Sequence, residues 1–161
     1  MHSIEQLAML GTGTVESMAW SSDSQHIAVA GSAGIRLFDA NNLNTVPIWF
    51  SGHIGKVNDV VFSSDGSLLF SVGEDGMMRR WSVETGEEII NTCPLVDGES
   101  CLVSGYYSIA LSPDDQIITL GLPNGISVIT ASLTEEFFIS TEEWSANGIL
   151  AKRISNRALL L

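Results

Sequence analysis

Residues 57–65, Val-Asn-Asp-Val-Val-Phe-Ser-Ser-Asp, decide the fold, because closely similar stretches recur at two other places in the chain. Residues 15–23 (Val-Glu-Ser-Met-Ala-Trp-Ser-Ser-Asp) precede this stretch by 42 positions, and residues 106–114 (Tyr-Tyr-Ser-Ile-Ala-Leu-Ser-Pro-Asp) follow it by 49. Three downstream glycines keep the same two spacings, namely Gly34, Gly76 and Gly125. Because two independent landmarks share both spacings, we infer that the chain is built from a repeated unit.

Each unit is predicted to contain four short strands. Alternate positions of 57–62 are apolar, which is typical of a half-buried strand. The Ser-Ser-Asp-Gly that follows is typical of a turn, since Asp hydrogen-bonds nearby backbone and glycine tolerates positive φ. The same reasoning predicts strands at 67–72, 77–83 and 87–91. Four strands in about 42 residues is the size of one propeller blade, so the sequence predicts an all-β fold.

Two residue pairs in the central unit, together with the repeat, indicate a resemblance to a known family. Gly52-His53 opens the central unit, and Trp81-Ser82 closes its third strand. With the repeat length, these pairs resemble the WD-repeat β-propeller family, whose repeats carry Gly-His before Trp-Asp; Ser82 stands where Asp is usual. The resemblance covers roughly residues 10–133. It implies a partial β-propeller of three four-stranded antiparallel blades with an incomplete fourth.

The repeat boundaries predict a single propeller region over residues 1–161. Blade one covers about 10–50, blade two about 51–92 and blade three about 103–133, and residues 134–161 form an incomplete fourth blade or a tail. Propellers need about 4–8 blades to close, so this arc is predicted to be open. Open blade edges favour self-association or cover from further sequence.

The resemblance also implies a buried hydrogen-bond set in blade two, formed by His53, Ser71, Asp75 and Trp81. A buried imidazole, hydroxyl and indole N–H need partners, and a carboxylate in a tight turn can supply one. Ser71, His53 and Asp75 are also the residue types of a nucleophilic triad. Ser71 lies inside a predicted strand and lacks the Gly-X-Ser-X-Gly pattern, so we prefer the structural interpretation and predict no catalytic residue.

The resemblance further implies a partner-binding surface at one mouth of the blades. The implied residues begin the first strands or lie in the turns between second and third strands, and they are Glu16, Ser32, Asn58, Asp59, Glu74 and Tyr107, with Ser17, Ser108 and Pro123 beside them. The set is acidic and has one aromatic side chain. It therefore suits a basic peptide or a basic protein surface.

Charge narrows the classes of partner. The chain has 19 acidic and 7 basic residues, a net charge of −12, and three of the basic residues follow position 150. Nucleic-acid phosphates and anionic membranes repel such a surface, so we predict neither as a partner. The 45% share of hydrophobic residues with only 16% charged predicts a folded chain.

Metals, cofactors and export signals are not predicted. Cys93 and Cys101 lack zinc-site spacing, and His2, His26 and His53 lack metal-ligand spacing, so we expect no metal and no cofactor. A disulfide between the two cysteines would need an oxidising compartment, and two inert thiols are the expectation. No stretch is apolar enough to span a membrane, and the first residues make a poor signal peptide, so we expect a cytoplasmic protein.

The preferred function is a non-enzymatic WD-repeat-like scaffold for protein–protein contacts. Two alternatives stay open. In the first, the chain is the amino-terminal fragment of a longer propeller with no independent activity. In the second, it is a propeller hydrolase, which would need polar groups from several blades to converge at the central channel.

Overall fold

The computed structural model describes residues 13–93, 105–123 and 125–132, and the backbone of two strands at 136–140 and 151–154. All regular structure in these residues is β-strand. The strands are β1 (Val15–Trp20), β2 (His26–Gly31), β3 (Gly34–Asp39), β4 (Ile48–Phe50), β5 (Val57–Phe62), β6 (Leu68–Gly73), β7 (Met78–Ser82), β8 (Glu88–Thr92), β9 (Ser108–Leu111), β10 (Ile117–Leu122), β11 (Gly125–Thr130), β12 (Glu136–Ser140) and β13 (Ala151–Ile154).

The strands form three antiparallel sheets that follow the sequence repeat. β1–β4 form the first sheet, β5–β8 the second, and β9–β13 the third. Strands adjacent in the chain pair with each other throughout, so every sheet is a simple meander. The predicted all-β fold of three propeller blades is therefore confirmed.

The third sheet extends beyond the boundary predicted at residue 133. β12 pairs with β11 and β13 pairs with β12, so 136–140 supplies the fourth strand of blade three and 151–154 a fifth. These strands do not form a separate sheet. The connection from β11 to β12 has no glycine turn like Glu84-Thr85-Gly86 of blade two, so no turn signal marks the next strand. The echo of a fourth unit predicted at 139–148 starts inside β12, and 141–148 lie outside the described residues.

The turn after the first strand is built in the same way in all three blades. A serine hydroxyl donates to the aspartate two residues later at 2.6 Å, and the serine Oγ accepts the N–H that opens the next strand. In blade two, the bonds from Ser63 and Ser67 lower the pKa of Asp65 to about 2. Such local bonds hold the turn without help from other blades. The serine–aspartate pairs are Ser21–Asp23, Ser63–Asp65 and Ser112–Asp114.

The residue after this aspartate takes a left-handed conformation in every blade. Blade two uses Gly66, with φ of 74°, where the absent Cβ removes the steric cost. Blades one and three use Ser24 (φ 61°) and Asp115 (φ 56°) at the same repeat position. The turn geometry is therefore kept even where glycine is replaced.

Two hydrophobic clusters hold the blades face to face. The first lies between blades one and two and includes Ile35, Phe62 and Trp81. The second lies between blades two and three and includes Met78 and Ile118. Blade two therefore has a neighbour on both faces. Among the described residues, blades one and three each have a neighbour on one face.

Two observations bear on the predicted compartment. Cys93, which follows β8, is disulfide-bonded, so the expectation of an inert thiol is wrong at this residue. Cys101 lies outside the described residues. Lasting disulfides are typical of oxidising compartments, so the cytoplasmic location stays a prediction. In the described part of the chain, no helix is long and apolar enough to cross a membrane.

Candidate functional site

The four residues of the predicted hydrogen-bond set lie side by side in blade two. The Trp81 indole N–H donates to Ser71 Oγ at 2.8 Å, and Ser71 Oγ lies 2.8 Å from His53 Nε2. The Asp75 carboxylate lies 2.9 and 3.0 Å from His53 Nδ1. Since the Asp75 carboxylate can only accept, the imidazole proton sits on Nδ1, and Nε2 of the neutral ring accepts the hydrogen of the Ser71 hydroxyl. The bonds form one chain from indole to carboxylate.

Gly52, directly before His53, allows the chain to approach this set closely. A Cβ at Gly52 would lie 2.9 Å from Trp81 Cη2 and 2.8 Å from Glu88 Oε2. Any larger residue would push the segment away from the indole. The Gly-His pair therefore has a packing reason: the glycine makes room for Trp81, and the histidine bonds to Ser71.

Burial sets the protonation state of the pair His53–Asp75. Burial lowers the pKa of His53 more than its bond to Asp75 raises it. Burial raises the pKa of Asp75, but hydrogen bonds from Ile54 N–H, His53 and Met77 N–H outweigh it and leave the pKa lowered. The set therefore contains a neutral imidazole beside an ionised carboxylate.

The lowered pKa of His53 predicts a pH dependence of stability. Unfolded His53 takes up a proton near its ordinary pKa of 6.5, whereas folded His53 resists protonation until lower pH. The unfolded state thus binds more protons in this window, and wild-type stability falls as pH falls. We expect the gap in free energy of unfolding between wild type and His53→Gln to shrink between about pH 7.5 and about pH 5.5. Urea denaturation across this range measures it.

A matched control is available in blade one. Asn44 is exposed and carries no ionisable group, so the gap between wild type and Asn44→Gln should stay constant over the same range. A gap for His53→Gln that widens on acidification would show that the charge of Asp75 outweighs burial, contrary to this prediction.

The Ser71–His53–Asp75 connectivity is that of a nucleophilic triad, but the site lacks access. Ser71 and Trp81 are both 0% exposed. The Ser71 oxygen also accepts the indole N–H, so one of its two lone pairs is already engaged. The geometry therefore favours a structural role for the three residues.

A buried arginine, Arg79, lies beside the hydrogen-bond set and was missed by the sequence interpretation. Arg79 is 8% exposed, its guanidinium donates to Glu88, and it lies 3.5 Å from Asp75. In β7, Arg79 lies two residues before Trp81, on the same face of the sheet. The sequence signal for a buried Arg79 was its position two residues before Trp81 in a predicted strand, which places both side chains on one face.

The six predicted partner-binding residues lie at the starts of first strands or in the turn between second and third strands. Glu16, Ser32, Glu74 and Tyr107 are exposed, and Ser32 Oγ accepts the Thr14 N–H at 3.1 Å. The other two, Asn58 and Asp59, are half-buried and have different contacts.

Asp59 bonds across all three blades. Its carboxylate accepts the Ser17 hydroxyl of blade one at 2.6 Å and the Ile109 N–H of blade three at 2.8 Å. The neighbouring Asn58 donates to the Tyr106 carbonyl at 2.8 Å. A β-bulge between Val57 and Asp59 breaks the alternation of side chains, so strand periodicity does not reveal these contacts. Both side chains are committed to holding the blades together.

The exposed residues are joined by a lysine and an isoleucine that the sequence interpretation did not include. Lys56 Nζ lies 3.6 Å from Glu16 and 3.5 Å from Glu74. Ile54 is 81% exposed and its N–H donates to Asp75, beside Glu74 in the same turn. The sequence signal for Lys56 and Ile54 is their position in the short loop between Gly52-His53 and β5.

Tyr107 is brought to the same end by the segment before β9. The Tyr106 N–H donates to the Gly73 carbonyl, and a Cβ at Gly105 would lie 2.8 Å from Glu74 Cα. Tyr107 itself is 58% exposed. In the part of the chain that the structure describes, no cluster of three or more His, Cys, Asp or Glu residues could hold a metal ion.

The sequence model of the WD40 family, described as "WD domain, G-beta repeat", matches residues 5–39 and 44–82. The second match ends at Ser82, directly after Trp81 of the hydrogen-bond set. With three meander blades and this buried set, the chain belongs to the WD-repeat family.

Relatives of the chain are WD-repeat proteins of several kinds. It is 34% identical over 107 residues to Cilia- and flagella-associated protein 57 of Mus musculus, covering 66% of this chain and 8% of that protein. It is 32% identical over 117 residues to a guanine nucleotide-binding protein subunit beta of Nicotiana tabacum, covering 71% and 30%. It is 36% identical over 63 residues to the Protein LST8 homolog of Dictyostelium discoideum, covering 38% and 21%. The chain thus spans less than a third of each of these relatives.

Proposed function

We propose that the chain is a non-catalytic scaffold whose end face binds a basic segment of a partner protein. The end face is the surface formed by Glu16, Ile54, Glu74 and Tyr107. The carrying observation is that two exposed carboxylates on neighbouring blades lie 3.6 and 3.5 Å from Lys56 Nζ, so one positive charge faces two negative charges among the described residues. A basic segment offers the complementary charge.

The apolar residues of the end face add a second element of recognition. Ile54 and Tyr107 are both mostly exposed and flank the turn that carries Glu74. An aromatic anchor beside acidic groups suits a segment that has an apolar side chain next to its Lys or Arg. The partner is therefore proposed to be amphipathic as well as basic.

The backbone under the end face is held in place, which favours binding. The Glu74 N–H donates to the Lys56 carbonyl, and the Tyr107 N–H donates to the Gly121 carbonyl. Binding to a surface that is already ordered costs little conformational entropy. One relative is by name a subunit, which supports a role in assembly with other proteins.

Charge reversal at the end face tests the proposal. Selection from a random displayed peptide library should enrich Lys- and Arg-rich sequences that contain an apolar residue. We expect Glu74→Lys to weaken the selected peptide's affinity about tenfold, because it replaces attraction by repulsion at the contact. Fluorescence anisotropy measures the affinity, and circular dichroism checks the fold.

Glu84→Lys is the matched control. Glu84 is equally an exposed turn glutamate of blade two, but the β7–β8 turn lies at the opposite end of the sheet from the β6–β7 turn. The control should bind like wild type. Equal losses in both variants would reduce the effect to net charge, and failure to select any peptide would favour the alternative of a fragment without its own binding activity.

A further inference from the structure

The end face already holds a cation that belongs to this chain, the ammonium group of Lys56. Lys56 Nζ lies 3.6 Å from a Glu16 carboxylate oxygen and 3.5 Å from a Glu74 carboxylate oxygen. Glu16 lies in β1 of blade one and Glu74 in the turn between β6 and β7 of blade two, so this cation joins two blades. Two carboxylates that attract the chain's own ammonium group attract one from another chain in the same way. The lysine therefore marks where a basic side chain of a partner would lie.

The backbone of Lys56 has a structural role that does not require a lysine. Its carbonyl accepts the Glu74 N–H at 2.9 Å and thereby holds the β6–β7 turn against the start of β5. In blade one, the Thr14 carbonyl accepts the Ser32 N–H at 3.1 Å, and Thr14 precedes Lys56 by the repeat spacing of 42. A residue without charge thus makes the same backbone bond. The ammonium group needs a separate explanation.

Stability does not explain the ammonium group. The side chains of Lys56, Glu16 and Glu74 are 32%, 35% and 55% exposed, and ion pairs between such groups are weak because water solvates and screens them. Blades one and two are already held together by the hydrophobic cluster between them and by the Ser17–Asp59 hydrogen bond. Removal of the ammonium group should therefore change mainly the charge that a partner meets at the end face.

We infer that, given the proposed function, Lys56 is an internal competitor for the basic segment, whose cation must displace the Lys56 ammonium from Glu16 and Glu74. Exchange of one cation for another gains little Coulomb energy, because one attraction replaces an equal one. A segment with a single basic residue and no other contact therefore gains little. A segment that also packs an apolar side chain on Ile54 or Tyr107 has a net gain. Lys56 thus sets the specificity of the end face for basic segments that are also apolar.

The displacement requires movement of the Lys56 side chain alone. On one side of Lys56, the Ile54 N–H is bonded to Asp75 at 3.0 Å, and on the other side Val57 is 0% exposed. The lysine stem is long and flexible, so its ammonium group can turn into water while the backbone keeps its bond to Glu74. An exchange without backbone movement adds little conformational cost to binding.

Fluorescence anisotropy with a defined basic peptide tests the inference. The probe is a fluorescein-labelled peptide of sequence Gly-Leu-Lys-Arg-Leu-Gly. We expect Lys56→Met to bind the probe about fivefold more tightly than wild type, because the competing charge is gone. Lys56→Arg keeps the charge and should bind like wild type. Circular dichroism checks that each variant is folded.

Asn44→Asp is the matched control for net charge. It makes the chain one unit more negative, as Lys56→Met does, but Asn44 is exposed in the β3–β4 loop, at the opposite end of blade one from the end face. It should bind the probe like wild type. An affinity gain equal to that of Lys56→Met would reduce the effect to net charge and overturn the inference.

A double variant tests whether Lys56 competes at the two carboxylates. In a Glu74→Gln background, which lacks one of them, Lys56→Met should raise the affinity less than it does in wild type. Equal affinities of wild type and Lys56→Met would overturn the inference and leave the proposed function standing. Binding by Lys56→Met alone would support the inference and contradict the proposed function for the wild-type chain. Absence of binding by both proteins would overturn both.

Discussion

Replacing Ser71 by alanine is expected to lower the free energy of unfolding by about 2–5 kcal/mol. The hydroxyl accepts from the Trp81 indole and donates to His53, and both partners lie in the interior of blade two. Its removal leaves an indole N–H and an imidazole nitrogen without a bond, and each such buried group costs about 1–3 kcal/mol. Because small domains are stable by only about 5–15 kcal/mol, the loss is a large share. Urea denaturation followed by tryptophan fluorescence measures it.

Two comparisons separate the hydrogen bonds from the loss of the side chain. Ser51→Ala removes the same atom from an exposed loop position and should change stability by at most about 0.5 kcal/mol. Trp81→Phe removes the donor, so the double variant with Ser71→Ala should cost less than the sum of the two single losses. Strictly additive losses would show that the chain of bonds does not act as a unit.

The second large effect is expected at the junction of the blades. Asp59→Ala should destabilise the protein by about 2–3 kcal/mol, because charge-assisted bonds to blades one and three are lost together. We also expect a broader unfolding transition, since the lost bonds couple separate sheets. Calorimetry measures both the midpoint and the width.

Asp39→Ala is the matched control for the coupling. Asp39 is also half-buried, but its carboxylate accepts from Asn41 N–H and Asn42 N–H within its own turn. Its loss should leave the width of the transition unchanged. A double-mutant cycle with Ser17→Ala should give a coupling energy of about 0.5–3 kcal/mol for the Ser17–Asp59 pair. A coupling near zero would remove the argument that Asp59 ties blade one to blade two.

The local sequence pattern was sufficient to predict the strands of the central blade, but not the end of blade three. The central unit's first strand was predicted at 57–62 and is β5 at those bounds, while the other three strands of that unit differ by one residue at each end. The pattern worked because each turn is closed by bonds within its own few residues, as Ser63–Asp65 shows. Before β12 the sequence has no glycine turn signal, and pairing with β11 and β13 defines the strand.

The partner surface was harder to predict than the hydrogen-bond set. Asn58 and Asp59 were placed on the binding surface by their position in the repeat, yet their side chains bond to other blades. Lys56 and Ile54 were not considered, although one pairs with both exposed glutamates and the other is the most exposed apolar residue at that end. The position of a residue in the repeat predicts where its backbone lies. The role of its side chain depends on the residues of the neighbouring blade that face it.

The sequence by itself determined the repeat, the strand-and-turn plan of each blade, and the family, because these depend on residues a few positions apart. The tertiary structure alone decided which carboxylates bond to another blade and which are exposed in the part of the chain that the structure describes. Asp59 and Glu74 look alike in sequence as acidic residues at one end of blade two. Their contacts differ, since the Asp59 carboxylate accepts the Ile109 N–H of blade three, whereas Glu74 is exposed and lies 3.5 Å from Lys56 Nζ.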